Sequence, residues 1–333
     1  MKRSVFLAYA VLLAAFLLPG LLADRPSVPP LPGGESAPPA ASAPAPGPAA
    51  PDTVRLLAEG TVRELPMQTY LVGVLAGEMP ASFEAEALKA QAVAARTYTM
   101  YCASGPKHPD ADVCADPAHC QAWQAEDPMR EKWGENYEKN RALLSAAVAA
   151  TAGEYLSYEG KPVFAAFHAS SAGATEDCGA VWNPRPYLVS VASPESAETV
   201  PNYISRLLCA PLDFRDVLLA ARPEADLTGA PETWLGPVEH DASGRVASYT
   251  LGGVAFGGTE LRRLFSLRST AFTLEYTEGK FCFTVTGNGH GVGMSQYGAN
   301  VMARDGADYR AILAHYYPGT TLTSEQRTMN REQ

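Results

Sequence analysis

The stretch Pro66-Met67-Gln68-Thr69-Tyr70-Leu71-Val72-Gly73-Val74-Leu75-Ala76-Gly77-Glu78-Met79-Pro80 decides how the rest of the chain is read. Pro66 suits the opening of a helix, and residues 67–76 are apolar nearly all round, so a short buried helix is expected. It should end at Gly77-Glu78-Met79, because the residue before a proline is driven out of the α region. Upstream, 53–57 and 61–65 alternate around Glu59-Gly60 and read as a β-hairpin. Downstream, an Ala-rich helix is expected over 84–100, which carries Lys89 and Arg96 seven residues apart on one face.

Further along, 140–152 reads as a helix and 154–158 with 162–168 as a hairpin around Glu159-Gly160. Strands are expected at 187–191, 238–240, 246–251 and 281–286, with helices over 259–265, to about Arg304, and from the N-cap Asp308 to Tyr316. Helices and strands are interspersed without βαβ alternation. The fold class is therefore α+β, with mixed helices and antiparallel strands in one large exported domain over 53–323, ahead of a polar tail at 324–333.

Export is read from the N-terminus, where Lys2 and Arg3 precede an apolar run from Val5 to Ala23. At ~1.5 Å per residue this run is nearly long enough for a ~30 Å hydrocarbon core, with the positive charges kept inside. Leu21-Leu22-Ala23 is a poor small-x-small processing site, so residues 1–23 are expected to remain as a membrane anchor. Cleavage would leave the domain in the same compartment. Residues 24–52, rich in Pro, Ala, Gly and Ser, read as a disordered linker able to reach roughly 80 Å as polyproline II. A formal net charge of −10 argues against nucleic acid as a partner.

Three groups of residues point to chemistry. Glu78 lies at the negative end of an apolar helix, and both burial and the helix dipole favour its neutral form, which can donate a proton. On position alone a glutamate there can also simply face water, just as Lys89 and Arg96 can form a solvated stripe. The glycine-rich run from Gly287 to Gly298, with His290 in it, lets backbone approach a ligand but lacks the P-loop and dinucleotide patterns. His108, Cys114, His119 and Cys120 fall in a loop with little apolar content, and two thiols with two imidazoles suit one structural zinc ion. A Cys114–Cys120 disulfide is the rival, and four protein ligands would leave no open position for metal catalysis. Cys102, Cys178, Cys209 and Cys282 are scattered and suggest no pairing.

The segment from Gln68 through Glu78, Lys89 and Arg96 to Tyr98 resembles the signature of the stage II sporulation protein D family of lytic transglycosylases. The similarity continues through His168-Ala-Ser-Ser171-Ala-Gly173-Ala-Thr-Glu176, Val181-Trp182, Pro186-Tyr187-Leu188, Leu267-Arg268-Ser269-Thr270, Gly289-His290-Gly291 to Gln296-Tyr297-Gly298-Ala299, and His315-Tyr-Tyr-Pro-Gly319. The resemblance implies cleavage of peptidoglycan glycan strands between N-acetylmuramic acid and N-acetylglucosamine, leaving a 1,6-anhydro end, with Glu78 as the catalytic acid and base. It further implies that Lys89 and Arg96 hold the lactyl carboxylate or tune Glu78, and that His168, Ser171, His290, Gln296 and Tyr297 bind glycan. Septal wall remodelling during engulfment, at the mother-cell membrane, with stage II sporulation proteins P and M as partners, follows from the same resemblance. The superfamily also contains amidase enhancers, which makes a non-catalytic glycan binder the alternative. The Ala169-Ser-Ser-Ala loop and the proline-rich linker depart from many relatives without touching Glu78.

Overall fold

The computed structural model describes residues 51–105 and 107–324. The expected anchor, most of the linker and most of the polar tail lie outside the described residues. Among those described, no helix is long and apolar enough to cross a membrane.

Strands β1 (Thr53–Ala58) and β2 (Thr61–Pro66) pair antiparallel, and the turn has Glu59 and Gly60 at positive φ, as a tight hairpin requires. Helix α1 (Met67–Glu78) follows at once. It buries Met67, Tyr70, Leu71, Val74, Leu75 and Ala76 and stops where Met79 turns extended before Pro80. Helix α2 (Ala85–Ser104) runs four residues beyond its expected end. It is buried on nearly every side, because its alanines let neighbouring helices and strands approach from all directions. The short strand β3 (Val113–Cys114) lies parallel to β1, with Leu56 opposite Val113 and Leu57 opposite Cys114, and anchors the His/Cys loop to the hairpin.

Helices α3 (Glu126–Trp133) and α4 (Tyr137–Ala150) pack beside α1 and α2. Next come β4 (Glu154–Tyr158), β5 (Lys161–Pro162) and β6 (Phe167–His168). The strand expected over 162–168 is interrupted, because Ala165 and Ala166 donate locally to the carbonyls of Val163 and Phe164 instead of to a neighbouring strand. After the short α5 (Cys178–Val181), residues 187–191 form a loop instead of the expected strand. Pro184 and Pro186 precede it, and Leu188 closes a turn onto Arg185.

A second core, around Phe214, Trp234, Phe256, Phe281 and Phe283, is then built from one continuous part of the chain. Its elements are β7 (Ile204–Cys209), α6 (Pro211–Ala221), β8 (Leu235–His240), β9 (Val246–Leu251), β10 (Val254–Gly257), α7 (Gly258–Leu264), β11 (Phe272–Thr277) and β12 (Lys280–Thr286). They form two antiparallel sheets in the orders β10-β9-β8 and β11-β12-β7. Register sets Cys209 opposite Phe281 and Cys282 opposite Leu208. Successive residues face opposite sides of a strand, so these two thiols cannot be joined. All six cysteines are free thiols.

The chain then returns to the first core. Strand β13 (Met294–Ser295) runs parallel to β6, helices α8 (Gln296–Arg304) and α9 (Tyr309–Tyr316) follow, and β14 (Thr321–Ser324) pairs with β4. Asp308 caps α9 as expected, its carboxylate accepting from the Ala311 N–H at 2.8 Å. The architecture is α+β, with the segment carrying the second core inserted between two parts of the first.

Candidate functional site

Glu78 is positioned by two glycines. A Cβ at Gly73 would overlap the Trp123 indole, and one at Gly77 would press on Ala122 at 3.1 Å, so this face of α1 is a groove in which residues 122–124 lie. The Gln124 N–H donates to the Gly73 carbonyl at 3.0 Å, and Gln121 Nε2 donates to the Tyr70 and Thr99 hydroxyls at 2.6 and 3.0 Å. This strap brings the Ala122 N–H to Glu78 Oε1 at 2.7 Å. Gln296 Nε2 donates to Oε2 at 3.2 Å from the first residue of α8. Burial pushes the Glu78 carboxyl above its ordinary value, while the Ala122 and Gln296 donors pull the other way.

The half-buried carboxyl opens on a cleft of about 380 Å3 lined by residues 77–82 together with Lys132, Trp133 and Asn140. Among the described residues Glu78 is the only carboxylate on that wall. Lys132 also donates to the Ala76 carbonyl at 3.0 Å, close to the end of α1. Nothing in the sequence linked Lys132, Trp133 or Asn140 to Glu78. A tryptophan beside a lysine ahead of a glycine is a weak signal until the fold brings α3 and α4 to the end of α1.

Of the other residues singled out in the sequence, Gln296 joins Glu78 directly. Tyr297 stands edge-on to Phe83, with ring centroids 4.9 Å apart, and the Asn300 side chain accepts from the Glu84 N–H at 2.8 Å. Helix α8 is thereby docked on the loop that follows Glu78. Lys89 pairs with Glu86 at 2.6 Å and lies over Tyr309. Arg96 is buried, donating to the carbonyls of Glu154 at 3.0 Å and Val148 at 3.5 Å. Among the described residues no hydrogen bond or ion pair joins Lys89 or Arg96 to Glu78.

His168 and Ser171 are buried against each other. His168 Nδ1 donates to the Val292 carbonyl at 3.2 Å, which leaves Nε2 to accept from the Ser171 hydroxyl at 2.7 Å. Burial holds His168 well below the ordinary imidazole range. His290 lies in front of it, with ring centroids 5.7 Å apart, and packs on the exposed Trp182 at 4.7 Å. Burial and the nearby Arg262 push His290 down to about 4, so it is neutral at neutral pH.

Two buried acids lie behind this loop: Glu176, quoted in the sequence only as part of the motif that starts at His168, and Glu195, which sequence reasoning did not single out. Glu195 accepts from the Ser171 N–H and from the Ser193 and Ser295 hydroxyls, all at 2.5 Å. Glu176 faces Arg245 at 3.6 Å and accepts from the Ser243 hydroxyl at 2.8 Å. Burial, with Asp241 nearby, pushes Glu176 up to about 7. Arg245 comes from the inserted segment and lies flat against Gly291, where a Cβ would meet its guanidinium at 2.7 Å. No spacing in the sequence announces either contact.

The His/Cys cluster is assembled. Ligand atoms of His108, Cys114, His119 and Cys120 all lie within 4.8 Å of one another, a group that could hold a metal ion. Cys114 Sγ is 3.6 Å from His119 Nδ1, and Cys120 Sγ is 3.6 Å from His108 Nε2. The two thiols are not bonded to each other. Cys120 is two residues before Ala122, so the cluster forms the root of the strap that reaches Glu78.

These features can be set beside known proteins. The family model described as Stage II sporulation protein matches residues 58–158. Stage II sporulation protein D of Bacillus amyloliquefaciens is 34% identical over 276 residues, covering 81% of this chain and 78% of that protein. The protein of the same name from Bacillus subtilis (strain 168) is 34% identical over 279 residues, with 82% and 79% covered. An amidase enhancer of Bacillus subtilis (strain 168) is 30% identical over 305 residues, covering 76% of this chain and 40% of its own length. Identity of this extent over four fifths of the chain shows that it belongs to the stage II sporulation protein D family.

Proposed function

We propose that this protein is a lytic transglycosylase that cuts peptidoglycan glycan strands between N-acetylmuramic acid and N-acetylglucosamine. The observation that carries this reading is the single carboxyl on the wall of the Glu78 cleft. Most glycosidases need two carboxyl groups, one as acid and one as nucleophile or base. One suffices where the sugar supplies its own nucleophile. Protonated Glu78 gives its proton to the glycosidic oxygen as the bond from C1 of the muramoyl residue to that oxygen breaks. The 6-hydroxyl of the same residue bonds to C1, and its proton returns to the Glu78 carboxylate, closing the 1,6-anhydro ring.

The Ala122 and Gln296 donors stabilise the anionic form of Glu78 midway through that cycle. Glu78→Gln preserves shape and removes the transferable proton, so turnover should fall by ~10²- to 10⁴-fold while glycan binding survives. Mass spectrometry of peptide-free strands for anhydro ends is the assay. Wild-type protein that makes no such ends yet stimulates an amidase would instead be an enhancer, as the name of one relative suggests.

We further propose that the His108, Cys114, His119 and Cys120 cluster holds one structural zinc ion. Zinc bonds of ≈ 2.3 Å to sulfur and ≈ 2.0–2.1 Å to nitrogen at a tetrahedral angle put S and N about 3.6 Å apart. The two closest S···N separations have that value. When bound, the ion would supply a cross-link and no chemistry, since four protein ligands fill its shell. This reading carries with it a domain outside the membrane tethered by residues 1–23. It acts on septal wall during engulfment with stage II sporulation proteins P and M as partners.

A further inference from the structure

Glu195 lies on the loop between α5 and β7, is 3% exposed, and has no part in the chemistry proposed for Glu78. Among the described residues it forms no ion pair. Instead three donors converge on its two oxygens, an arrangement suited to a group that only accepts. Oε1 takes the Ser171 N–H and the Ser295 hydroxyl, and Oε2 takes the Ser193 hydroxyl. Neighbouring groups fix the direction of these bonds. Ser295 Oγ accepts from the Gly298 N–H at 3.1 Å, which leaves its own proton for Glu195. Ser193, donating to Glu195, accepts in turn from the Tyr316 hydroxyl at 2.8 Å. Ser171, Ser193, Ser295 and Tyr316 are all buried, so bulk water does not compete for these bonds.

Helix α8 is seated directly on this carboxylate. No positive φ demands a glycine at Gly298, but a Cβ there would overlap the Tyr316 hydroxyl and come within 2.5 Å of Ser193 Oγ and 2.6 Å of Glu195 Oε2. The glycine provides space for the hub. Glu195 thereby holds two pieces of the site in fixed relation. Ser171 belongs to the loop that starts at His168, whose Nε2 accepts from the Ser171 hydroxyl at 2.7 Å. Ser295 is the N-cap of α8, and the next residue, Gln296, donates to Glu78 Oε2 at 3.2 Å. Between the two pieces the Tyr297 N–H donates to the Ala169 carbonyl at 3.0 Å. A bond of 3.2 Å is at the long end of the range, so a small rotation of the first turn of α8 would break it. The Ser295 hydroxyl, held by Glu195 on one side and Gly298 on the other, opposes that rotation.

We propose that Glu195 is a positioning residue for the catalytic acid: by fixing the Ser295 cap it holds Gln296 on Glu78, in register with the loop of His168 and Ser171. This rests on the glycan-cutting reading above and adds to it a residue that acts only through another. Gln296 is one of the two donors that favour the anion of Glu78 against its burial. With Gln296 adrift and the Ala122 donor still in place, Glu78 holds its proton to higher pH and gives it up more slowly.

The test uses the full-length chain and two readouts. The Glu78 carboxyl is titrated by carbon-13 NMR on glutamate-labelled protein, its signal assigned by its loss in Glu78→Gln. Formation of anhydro ends from peptide-free strands gives kcat and KM across pH, well below each melting midpoint. Gln296→Ala should lower kcat about 10- to 100-fold, the worth of one hydrogen bond to a charged group, and move the Glu78 titration and the alkaline limb of kcat to higher pH. Ser295→Ala and Glu195→Met should move both in the same direction by no more than Gln296→Ala does, and Ser295→Ala should leave KM within about twofold of wild type. Lys132, the other charged side chain on the cleft wall, is the same in all of them. Because Glu195 acts through Gln296, adding Glu195→Met to Gln296→Ala should lower kcat no further. Glu195→Gln, which keeps an oxygen for Ser171 and Ser295, should recover most of the loss. A merely structural carboxylate would lower the melting midpoint and leave the Glu78 titration where it is. That result, or losses that multiply in the double variant, would overturn the proposal. Where Glu195→Met does not fold, Ser295→Ala breaks the same link and carries the same prediction. Wild-type protein that makes no anhydro ends would refute the glycan-cutting reading, whereas the NMR titration tests the hold of Glu195 on Glu78 independently of turnover.

Discussion

Arg96 offers the sharpest contrast between a role in substrate binding and a role in the fold. Its side chain is 2% exposed and spans the gap between the last turn of α4 and the start of β4, donating to the Val148 and Glu154 carbonyls. Burial lowers its pKa to about 10, which still leaves the guanidinium charged at neutral pH. Arg96→Ala removes a charge-assisted bond worth ~1.5–3 kcal/mol and a weaker one at the distance limit, and leaves a void in a packed core. A loss of about 3–5 kcal/mol is expected. For a domain of this size each kcal/mol moves the midpoint by ~2–4 °C, so thermal unfolding should begin on the order of 10 °C earlier. Arg96→Met keeps most of the volume and also removes a buried charge, so it should cost much less than alanine. Circular dichroism melts paired with glycan-cutting assays well below each midpoint decide the matter. Should Arg96→Met melt like wild type yet fail to cut, Arg96 acts on the substrate and this reasoning is wrong.

Two further outcomes follow from the site. The folded-state pKa of Glu78 is raised by burial, so its contribution to stability is complete below the unfolded value near 4.5 and is lost as pH rises through the folded value. Glu78→Gln should therefore melt with wild type in acid and above it at alkaline pH, while wild-type kcat falls with rising pH over the same window. An equal offset at every pH would refute the raised pKa. Purified untagged protein should contain about one equivalent of zinc, and Cys120→Ser or strong chelation should remove it, lower the melting midpoint and reduce kcat through the displaced strap. Absence of metal together with two fewer titratable thiols than reduced protein would establish the disulfide instead.

What was legible in the sequence was local. The nearly continuous apolar run of α1 between two prolines, the Glu59-Gly60 turn and the Asp308 cap each depend on a few neighbouring residues, and each appears where expected. The edge strand β7 was not legible, because Ile204, Leu207 and Leu208 are exposed and give no alternation to read. Residues 187–191 misled in the opposite sense, since Tyr187 and Leu188 are buried and Val189 and Val191 half-buried in a loop. Spacing placed Lys89 and Arg96 on one helical face, but α2 is surrounded, so a shared face does not mean a shared environment. Lys89 is near the surface beside Glu86, and Arg96 is in the core. The Glu195 and Glu176–Arg245 contacts join residues far apart in the chain, and only the fold relates them.

The same distinction bears on the role of both acid and base proposed for Glu78. A carboxyl that was merely buried would keep its proton and be a poor donor, and one that merely accepted two hydrogen bonds in water would already be ionised. Here α1 supplies burial from local sequence, whereas the two donors come from residues 44 and 218 positions away. Neither donor is free to drift. Ala122 is held by the Gly73 and Gly77 groove and by the cluster at Cys120, and Gln296 by the Ser295 cap, whose hydroxyl is fixed by Glu195 and accepts from the Gly298 N–H. Burial therefore biases the carboxyl toward the acid form, and in the proposed cycle donors already in place would stabilise the anion as the proton leaves, without reorganisation. In the proposed mechanism the His/Cys loop and the Glu195 hub act on Glu78 only through these two donors. Loosening either one should leave Glu78 protonated and present, but slower to give its proton up.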